Sequence, residues 1–460
     1  MRKNKIVIVN LLCTIILQGL AYLSAPIFSS ALGTSNFGIA SVYYTWVRIL
    51  SVVFTLQAAG AVGVARTNFP ESEQKQYQSS IFFFSICSYG ILSIITIIIA
   101  LLVVHISGSS FGMLLCALVH GIGLYCVNSI NAKFTYEFKA WSNLIVSVVT
   151  SVSSIVTSYI LIFKYPSDIN YWGRIIGQAV PYGIIGVLIC IYIFINGRTF
   201  YNKEYWLFTL PITIPIVLHD IANLLLNQSD RLMLQWLTDN SSVGIYSLAA
   251  TFSGVLASIY MAFNNSWVSF YYEYSKNKNY DAIKESAKNY LEVFTTITCG
   301  FILLANEVYH VFAREDYWSG TSYIYIFAVG YYLVFLYSFP VGYEFYNKKT
   351  KYIAFATSMA TVCNIILNYL LIKSVGVLGA VIATAIAHGF QFLFHYIAAK
   401  RIDADEFPFQ IRFFLPWLGI VCVTALLSKV LIGAWLIRWG IGVALGVIVG
   451  LRIIKRRRIF

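Results

Sequence analysis

The chain has 460 residues, 59% of them hydrophobic and only 11% charged, with 32 lysines and arginines against 19 aspartates and glutamates. A water-soluble globule carries roughly a quarter charged residues, so a soluble enzyme, and a soluble domain tethered by a single anchor, are both excluded. The formal net charge of +13 then reads as membrane anchoring and contact with anionic lipid head groups rather than nucleic-acid binding.

A bilayer core of about 30 Å is crossed by roughly 20 helical residues. On that measure about fourteen spans are predicted, near 7–31, 37–64, 79–104, 110–131, 141–163, 173–195, 206–236, 243–270, 288–312, 320–343, 352–372, 377–399, 413–431 and 434–453. The first follows the basic segment Met1 to Lys5 and resembles a signal peptide, but its apolar run is too long for an h-region, so it is read as a retained helix. The connections are too short to hold a folded domain.

The cations alternate along this order. The N-terminus, the even-numbered connections and the tail hold 24 of them, ending in Lys455-Arg456-Arg457-Arg458, and the odd-numbered connections hold six, among them Arg174 and Arg438. Basic loops stay on the cytoplasmic side, so both termini are placed there. Two cations remain, Arg48 and Arg231, and both fall within or at the end of an apolar span.

Arg48 lies about eleven residues into the second span, roughly 16 Å of helix from its start. An arginine at that depth costs about 2.5 to 3.5 kcal/mol on insertion scales, so it is expected to face a cavity or an internal partner and to line a path for an anionic substrate. In span five, Ser154 and Ser158 precede Tyr159 to Ile162. The seventh span is the most polar. After Pro211 and Pro215 it carries His219, Asp220, Asn223, Asn227, Gln228, Asp230, Arg231 and Gln235. Asp220, Asn223 and Asn227 recur at i, i+3 and i+7 and form one stripe, a candidate cavity lining. Asp220 has three open roles: partner of Arg48, ligand of a coupling cation, or proton carrier. Asp230 and Arg231 reach the outer end of the span as a solvated or capping pair, with gating or coupling as the alternative. Further along, Glu307 and His388 are candidates for coupling or gating, and His388 with His395 stands at i and i+7. The tyrosines of span ten, including Tyr325, Tyr332 and Tyr337, read as an interfacial belt.

The eight cysteines all lie inside apolar spans with no CxxC and no histidine at ligand spacing, so neither disulfides nor a structural metal is expected. There is no nucleophile-elbow or Walker-type motif, so neither a cofactor nor nucleotide hydrolysis is expected.

A faint repeat runs through the chain. Leu32 to Ile39 echoes Leu237 to Ile245, and Ser154, Ser158 and Tyr159 to Ile162 align with Asn364, Asn368 and Tyr369 to Ile372. Six spans separate the copies, an even number, so both halves share one orientation. The expected organisation is an N-terminal six-helix lobe over 1–200, a second over 201–402, and an extra helix pair with a basic tail over 403–460.

The segment Pro26 to Gly38 with its Leu32-Gly33 turn, Asp230-Arg231 followed by Val243 to Ala249, and Asn264 to Tyr271 with Trp267 resemble the bacterial polysaccharide and oligosaccharide flippases of the multidrug, oligosaccharidyl-lipid and polysaccharide exporter superfamily. The resemblance spans the whole chain through loose motifs. It implies an all-α fold of two six-helix lobes around a cavity, set in the bacterial plasma membrane. It also implies movement of an undecaprenyl-diphosphate-linked oligosaccharide repeat unit for surface polysaccharide assembly by alternating access. Candidate partners are that lipid-linked saccharide, membrane lipids, and the glycosyltransferases and polymerase of the same pathway. Three rivals stand beside it. A multidrug or cation exporter of the superfamily is disfavoured by the lack of an acid in residues 7–31. A peptidoglycan-precursor flippase shares the diphosphate chemistry. A membrane-bound polymerase or acyltransferase needs larger external loops than this chain has.

Overall fold

In lipid every backbone N–H and C=O must be satisfied within its own segment, and this chain meets that demand with helices throughout. The computed structural model describes residues 2–106, 108–402 and 407–456, with the side chains of 2–18, 453 and 456 left outside the description. The side chains of Cys13 and Arg456, and the residues Arg457 and Arg458 of the basic tail, therefore lie outside the description. The helices are α1 (Arg2–Phe54), α2 (Val62–Asn68), α3 (Gln74–Leu102), α4 (Gly108–Tyr136), α5 (Ala140–Ile162), α6 (Tyr171–Gly197), α7 (Lys203–Leu237) and α8 (Asn240–Ser253). They continue with α9 (Val255–Lys276), α10 (Tyr280–Phe312), α11 (Thr321–Tyr346), α12 (Thr350–Val375), α13 (Val377–Ile402), α14 (Ile411–Val430) and α15 (Trp435–Arg456). No strand occurs among the described residues.

Thirteen helical stretches among the described residues are long and apolar enough to cross a membrane, with α8 and α9 forming one of them. The first holds two predicted spans, because α1 breaks at Gly33, where φ is 71° and ψ 175°. Only glycine takes that conformation without a steric penalty, and the turn divides α1 into two arms. Asn36, just past the turn, donates to the Asn170 side chain at 2.9 Å, and Asn170 donates to the Ala31 carbonyl at 3.1 Å. The amide pair ties the turn to the start of α6.

By packing, the chain divides into two compact units, Met1–Gln228 and Ser229–Phe460. The first part of α7 belongs with the N-terminal unit for a local reason. Tyr77 and Thr209 share a hydrogen bond at 2.8 Å, Tyr205 donates to Glu73 at 2.9 Å, and Trp206 donates to Ser80 at 3.1 Å.

Each unit is built on the same close helix contact. A Cβ placed on Gly173 of α6 would lie 2.4 Å from the Ile162 nitrogen of α5, and one on Gly379 of α13 would lie 2.2 Å from the Leu371 carbonyl of α12. Leu161-Ile162 and Leu371-Ile372 are the residues that echo each other in the sequence. Small residues let helix backbones approach where lipid supplies no hydrophobic drive. In the C-terminal unit α15 is further fastened to α10 by two ion pairs, Arg438–Glu307 and Arg452–Glu292.

Gly379→Val would force α12 and α13 apart, an overpacking that costs about 1–3 kcal/mol. The purified variant is expected to unfold several degrees below the wild type in detergent; an unchanged midpoint would mean the contact is not needed for stability.

Candidate transport site

In the second arm of α1, Val47 and Leu50 are buried in a core cluster with Tyr89, Leu118 and Ile175. Arg48 follows Val47 at the edge of that core and is half-buried, and Tyr44, one turn earlier, is 37% exposed. Among the described residues Arg48 enters no ion pair. A guanidinium in an apolar arm without an acid beside it is a standing offer of charge-assisted hydrogen bonds to an anion.

The arm ends at Phe54, and Leu56 and Gln57 then take left-handed backbone angles, φ 51° and 45°. This break carries the Gln57 side chain to α7, where it donates to Asp220 Oδ2 at 2.9 Å. Asp220 therefore has an amide partner in this structure, and the Arg48 pairing left open by the sequence is not formed. Thr45, fully buried, lies 3.4 Å from Gln228 Oε1. The remaining polar stripe of α7 bonds along its own helix: Asn223 with His219 at 2.9 Å, and Asn227 to the Asn223 carbonyl at 2.7 Å.

The sequence placed Arg174 in an external loop, but it lies in the first turn of α6 with its guanidinium carbon 3.6 Å from the centre of the Phe28 ring. Its Nη1 is buried and has no protein partner. His120, fully buried, is 3.3 Å from the Tyr43 hydroxyl, and its ring lies 4.6 Å from that of Tyr182. Arg174 and Tyr44 interact electrostatically, so the N-terminal unit holds a second guanidinium near the face that bears Arg48. The reason the sequence missed it is reach: a long side chain one turn inside a helix can point inward as readily as outward.

In the C-terminal unit the main polar centre is Asp230. It is 1% exposed, so the solvated or capping pair expected at the outer end of the span is corrected. Its carboxylate accepts from Asn368 of α12, from Thr384 of α13 at 2.8 Å, and from the Tyr246 hydroxyl of α8. Asn364, one turn before Asn368, accepts from Ser229 at 3.2 Å and from Asn368 at 2.9 Å. Arg231 instead turns its Nε to Ser247 at 3.1 Å. Four helices thus converge on one buried carboxylate, held by an amide and two hydroxyls, with the Arg231 guanidinium as its charged neighbour. Such an arrangement of carboxylate, amide and hydroxyl oxygens suits a proton or a hard monovalent cation. Of this set the sequence singled out Asp230 and noted Asn364 and Asn368 only as a repeat; Thr384 and Tyr246 gave no signal, since a lone Thr or Tyr is ordinary in a span.

The other candidates fall elsewhere. Glu307 accepts from Arg438, from Trp439 at 3.1 Å and from Asn306 at 2.8 Å. Arg438 is fully buried and also donates to the Leu303, Leu431 and Ile432 carbonyls at 2.9 to 3.0 Å. It was assigned to a loop from sequence, yet it is drawn inside by carbonyls at the end of α14 and by an acid of α10. This pairing favours a structural role for Glu307. Tyr325 and Tyr332 are corrected from belt to core: they are 4% and 0% exposed, and Tyr332 shares a 2.6 Å hydrogen bond with Thr295. His388 is buried in α13, with Nδ1 lacking a protein partner.

An all-helical chain of this span number, with polar groups gathered inside its units, is a multi-pass membrane transporter. A model of polysaccharide biosynthesis proteins matches residues 4–270, and the chain belongs to that family, the polysaccharide flippases of the superfamily named above. It is 22% identical over 368 residues to protein 1 of the Lsg locus of Haemophilus influenzae, a match covering 74% of this chain and 84% of that protein. Among solved structures it resembles the lipid II flippase MurJ in its inward closed conformation, with TM-score 0.71 and 18% identity over 98% of this chain and all of that one. It also resembles an inward-facing multidrug resistance MATE transporter, with TM-score 0.61 and 16% identity over 86% of this chain and 99% of that one. These likenesses carry the fold. Family and structural neighbours are transporters rather than enzymes.

Breaking a buried ion pair from one side leaves an uncompensated charge and costs about 3–5 kcal/mol. Arg438→Met is therefore expected to lower folded yield and thermal stability sharply, and Arg438→Met combined with Glu307→Met to restore part of the loss, the carbonyls that Arg438 met remaining without a donor. Equal stability of the single and double variants would contradict the pairing.

Proposed function

We propose that this protein flips a lipid-linked oligosaccharide repeat unit, carried on undecaprenyl diphosphate, from the inner to the outer leaflet of the bacterial plasma membrane for surface polysaccharide assembly. The observation that carries the reading, beside family membership, is Arg48: a half-buried guanidinium in an apolar arm with no acid paired to it. A diphosphate supplies the missing anion in bidentate form, while the polyprenyl chain stays in hydrocarbon. Asp220, Asn223 and Asn227 add amides and a carboxylate that can bond sugar hydroxyls. Alternating access would come from rocking of the two lobes, near 1–200 and 201–402, with the pair beyond 403 as an accessory.

Coupling is assigned to Asp230. A buried carboxylate held by an amide and two hydroxyls, with one guanidinium nearby, binds a proton or cation in one state and releases it in another, and its hydrogen-bond partners come from three other helices. Gating by Arg231 and coupling by His388 belong to the same unit.

The second reading, a peptidoglycan-precursor flippase, gains from Arg174, since two guanidiniums in one unit suit any diphosphate lipid. Complementation separates the two: a strain depleted of its lipid II flippase should stay inviable with this protein if the first reading holds. Deleting the gene should cause one lipid-linked saccharide to accumulate on the cytoplasmic side, and its composition names the cargo.

Arg48→Ala is expected to abolish export of surface glycan while the protein still inserts, with Arg48→Lys retaining a fraction because it keeps charge without the bidentate fork. Normal export at normal expression would remove Arg48 from the cargo path. Asp220→Asn, which keeps the shape and most of the bonding to Gln57, should slow transport no more than about tenfold, equivalent to about 1.4 kcal/mol. Asp230→Asn should eliminate its dependence on an ion gradient; comparison of the two rates in reconstituted vesicles tests the assignment of coupling to Asp230.

A further inference from the structure

Four polar residues of α13, Thr384, His388, Gln391 and His395, stand at i, i+4, i+7 and i+11, on one face of an otherwise apolar helix. His388, Gln391 and His395 are 6%, 4% and 0% exposed. At one end of the row Thr384 donates to Asp230 at 2.8 Å. At the other, His395 Nδ1 lies 3.0 Å from both carboxylate oxygens of Glu344 of α11, and neither side chain of that pair touches solvent. Glu344 lies just before Lys348 and Lys349, at the end the basic loops mark as cytoplasmic.

Two observations indicate that this row does more than hold α11 against α13. One buried hydrogen bond would secure the helices, yet a fully buried acid–histidine pair and a second buried histidine are present. In addition His388 Nδ1 and His395 Nε2 are both buried with no protein partner, and Gln391 stands between the two rings on the same face. Thr384 and His388 are one turn apart, with Cβ atoms about 5–6 Å from each other, a gap that a single water bridges by hydrogen bonds; His388 and His395 are two turns apart, about 10 Å along the helix, a gap that takes a short chain of waters.

We infer that the Thr384-to-His395 face of α13 conducts protons between Asp230 and the cytoplasmic end of the C-terminal unit, with the Glu344–His395 pair as the inner proton-binding site. The inference rests on the transport reading above and names its coupling ion. A proton taken up on the Asp230 carboxylate passes through the Thr384 hydroxyl and a bridging water to His388 Nδ1. From His388 the proton reaches His395 Nε2, two turns further on, through a short chain of waters. The Nδ1 proton of the resulting imidazolium goes to Glu344, whose carboxyl group releases it to the cytoplasm. One proton enters and one leaves; His395 is left as the Nε2–H tautomer and regains its Nδ1–H form by ring rotation before the next transfer.

The neighbours of the row are compatible with this role. From α11, the Tyr337 ring stacks on His395 at 5.7 Å, Gly330 backs the His388 ring, and Tyr343, beside Glu344, packs on Phe407 at 5.1 Å. Tyr246 of α8 and Asn364 and Asn368 of α12 surround Asp230 or its partners, with Arg231 beside it. On α13 itself Lys400 lies beyond the row, over Tyr396 at 5.9 Å.

The test uses the full chain in liposomes that trap a pH-sensitive dye, supplied with the lipid-linked saccharide recovered from the deletion strain. For the wild type, flipping should be accompanied by proton movement, and an imposed pH gradient should raise the flipping rate severalfold. In Glu344→Gln and in His395→Gln the ratio of rates with and without the gradient should fall to about one. A ratio like the wild type's in both variants, or a wild type driven by sodium alone, overturns the relay. A wild type that moves no saccharide lipid at all would overturn the transport reading instead, so a second measurement needs no substrate. Proton uptake by the detergent-solubilised protein between about pH 5 and 8, the range in which histidine-linked sites titrate, should differ between wild type and Glu344→Gln by about one proton per chain. An identical count overturns the relay whatever the cargo. Should Glu344→Gln fail to fold, His388→Asn, which leaves the acid–histidine pair intact, should abolish the gradient response in the same way, and an undiminished response there overturns the relay too.

Discussion

A charge carried into hydrocarbon has to meet an opposite charge, a proton or a ligand, because water is not there to solvate it. The two units of this chain meet that requirement in opposite ways. In the C-terminal unit Arg438 and Arg452 are matched by Glu307 and Glu292, and the other interior acids are Asp230, held by an amide and two hydroxyls with Arg231 as its charged neighbour, and Glu344, held by a histidine. In the N-terminal unit the interior groups left over are cations, Arg48 and Arg174, while Asp220 is engaged by an amide.

The distribution also explains which polar groups are structural. Arg438 has four of its five N–H donors occupied, by three carbonyls and a carboxylate, and it is fully buried. Arg174 keeps a buried nitrogen free, and Arg48 has no acid beside it. Saturation, rather than depth or charge alone, separates a clamp from a binding group. By the same measure Glu307 belongs with the clamps, and the Asp230 and Glu344 centres belong with the groups that can change protonation or ligation at low cost.

Much of the fold was legible because its causes are local. Apolar length sets the spans, the even spacing of basic loops sets orientation, and Gly33 marks the turn that only glycine accommodates. The polar stripe of α7 was legible too, since helical spacing places Asp220, Asn223 and Asn227 on one side. What sequence left dark depends on packing across helices. Asp230 read as a surface residue because its three partners lie on α8, α12 and α13, far away in the chain. Arg174 and Arg438 read as loop cations because span edges are uncertain by a turn, and one turn decides whether a guanidinium faces water or carbonyls. Glu344 drew no attention beside Lys348 and Lys349, although His395, its partner, had been noted without one. Tyr325 and Tyr332 were misplaced because a belt and a core differ only in which side of α11 faces lipid.

The internal repeat sharpens the asymmetry between the units. Both place a glycine of one helix directly on a Leu-Ile backbone of the preceding one, Gly173 on Leu161-Ile162 and Gly379 on Leu371-Ile372. Onto that shared frame the N-terminal copy sets Ser154 and Ser158, and the C-terminal copy sets Asn364 and Asn368, all buried. A serine bonds its own helix or a near backbone, as Ser158 does toward the Arg174 carbonyl at 3.5 Å, and leaves little reach for anything further. An asparagine extends far enough to meet a carboxylate on another helix, as Asn368 meets Asp230. A buried carboxylate is sustained only where such donors surround it. The side chains at these repeat-related positions therefore permit an acid in the C-terminal unit and offer it no support in the N-terminal one, where guanidiniums occupy the interior instead.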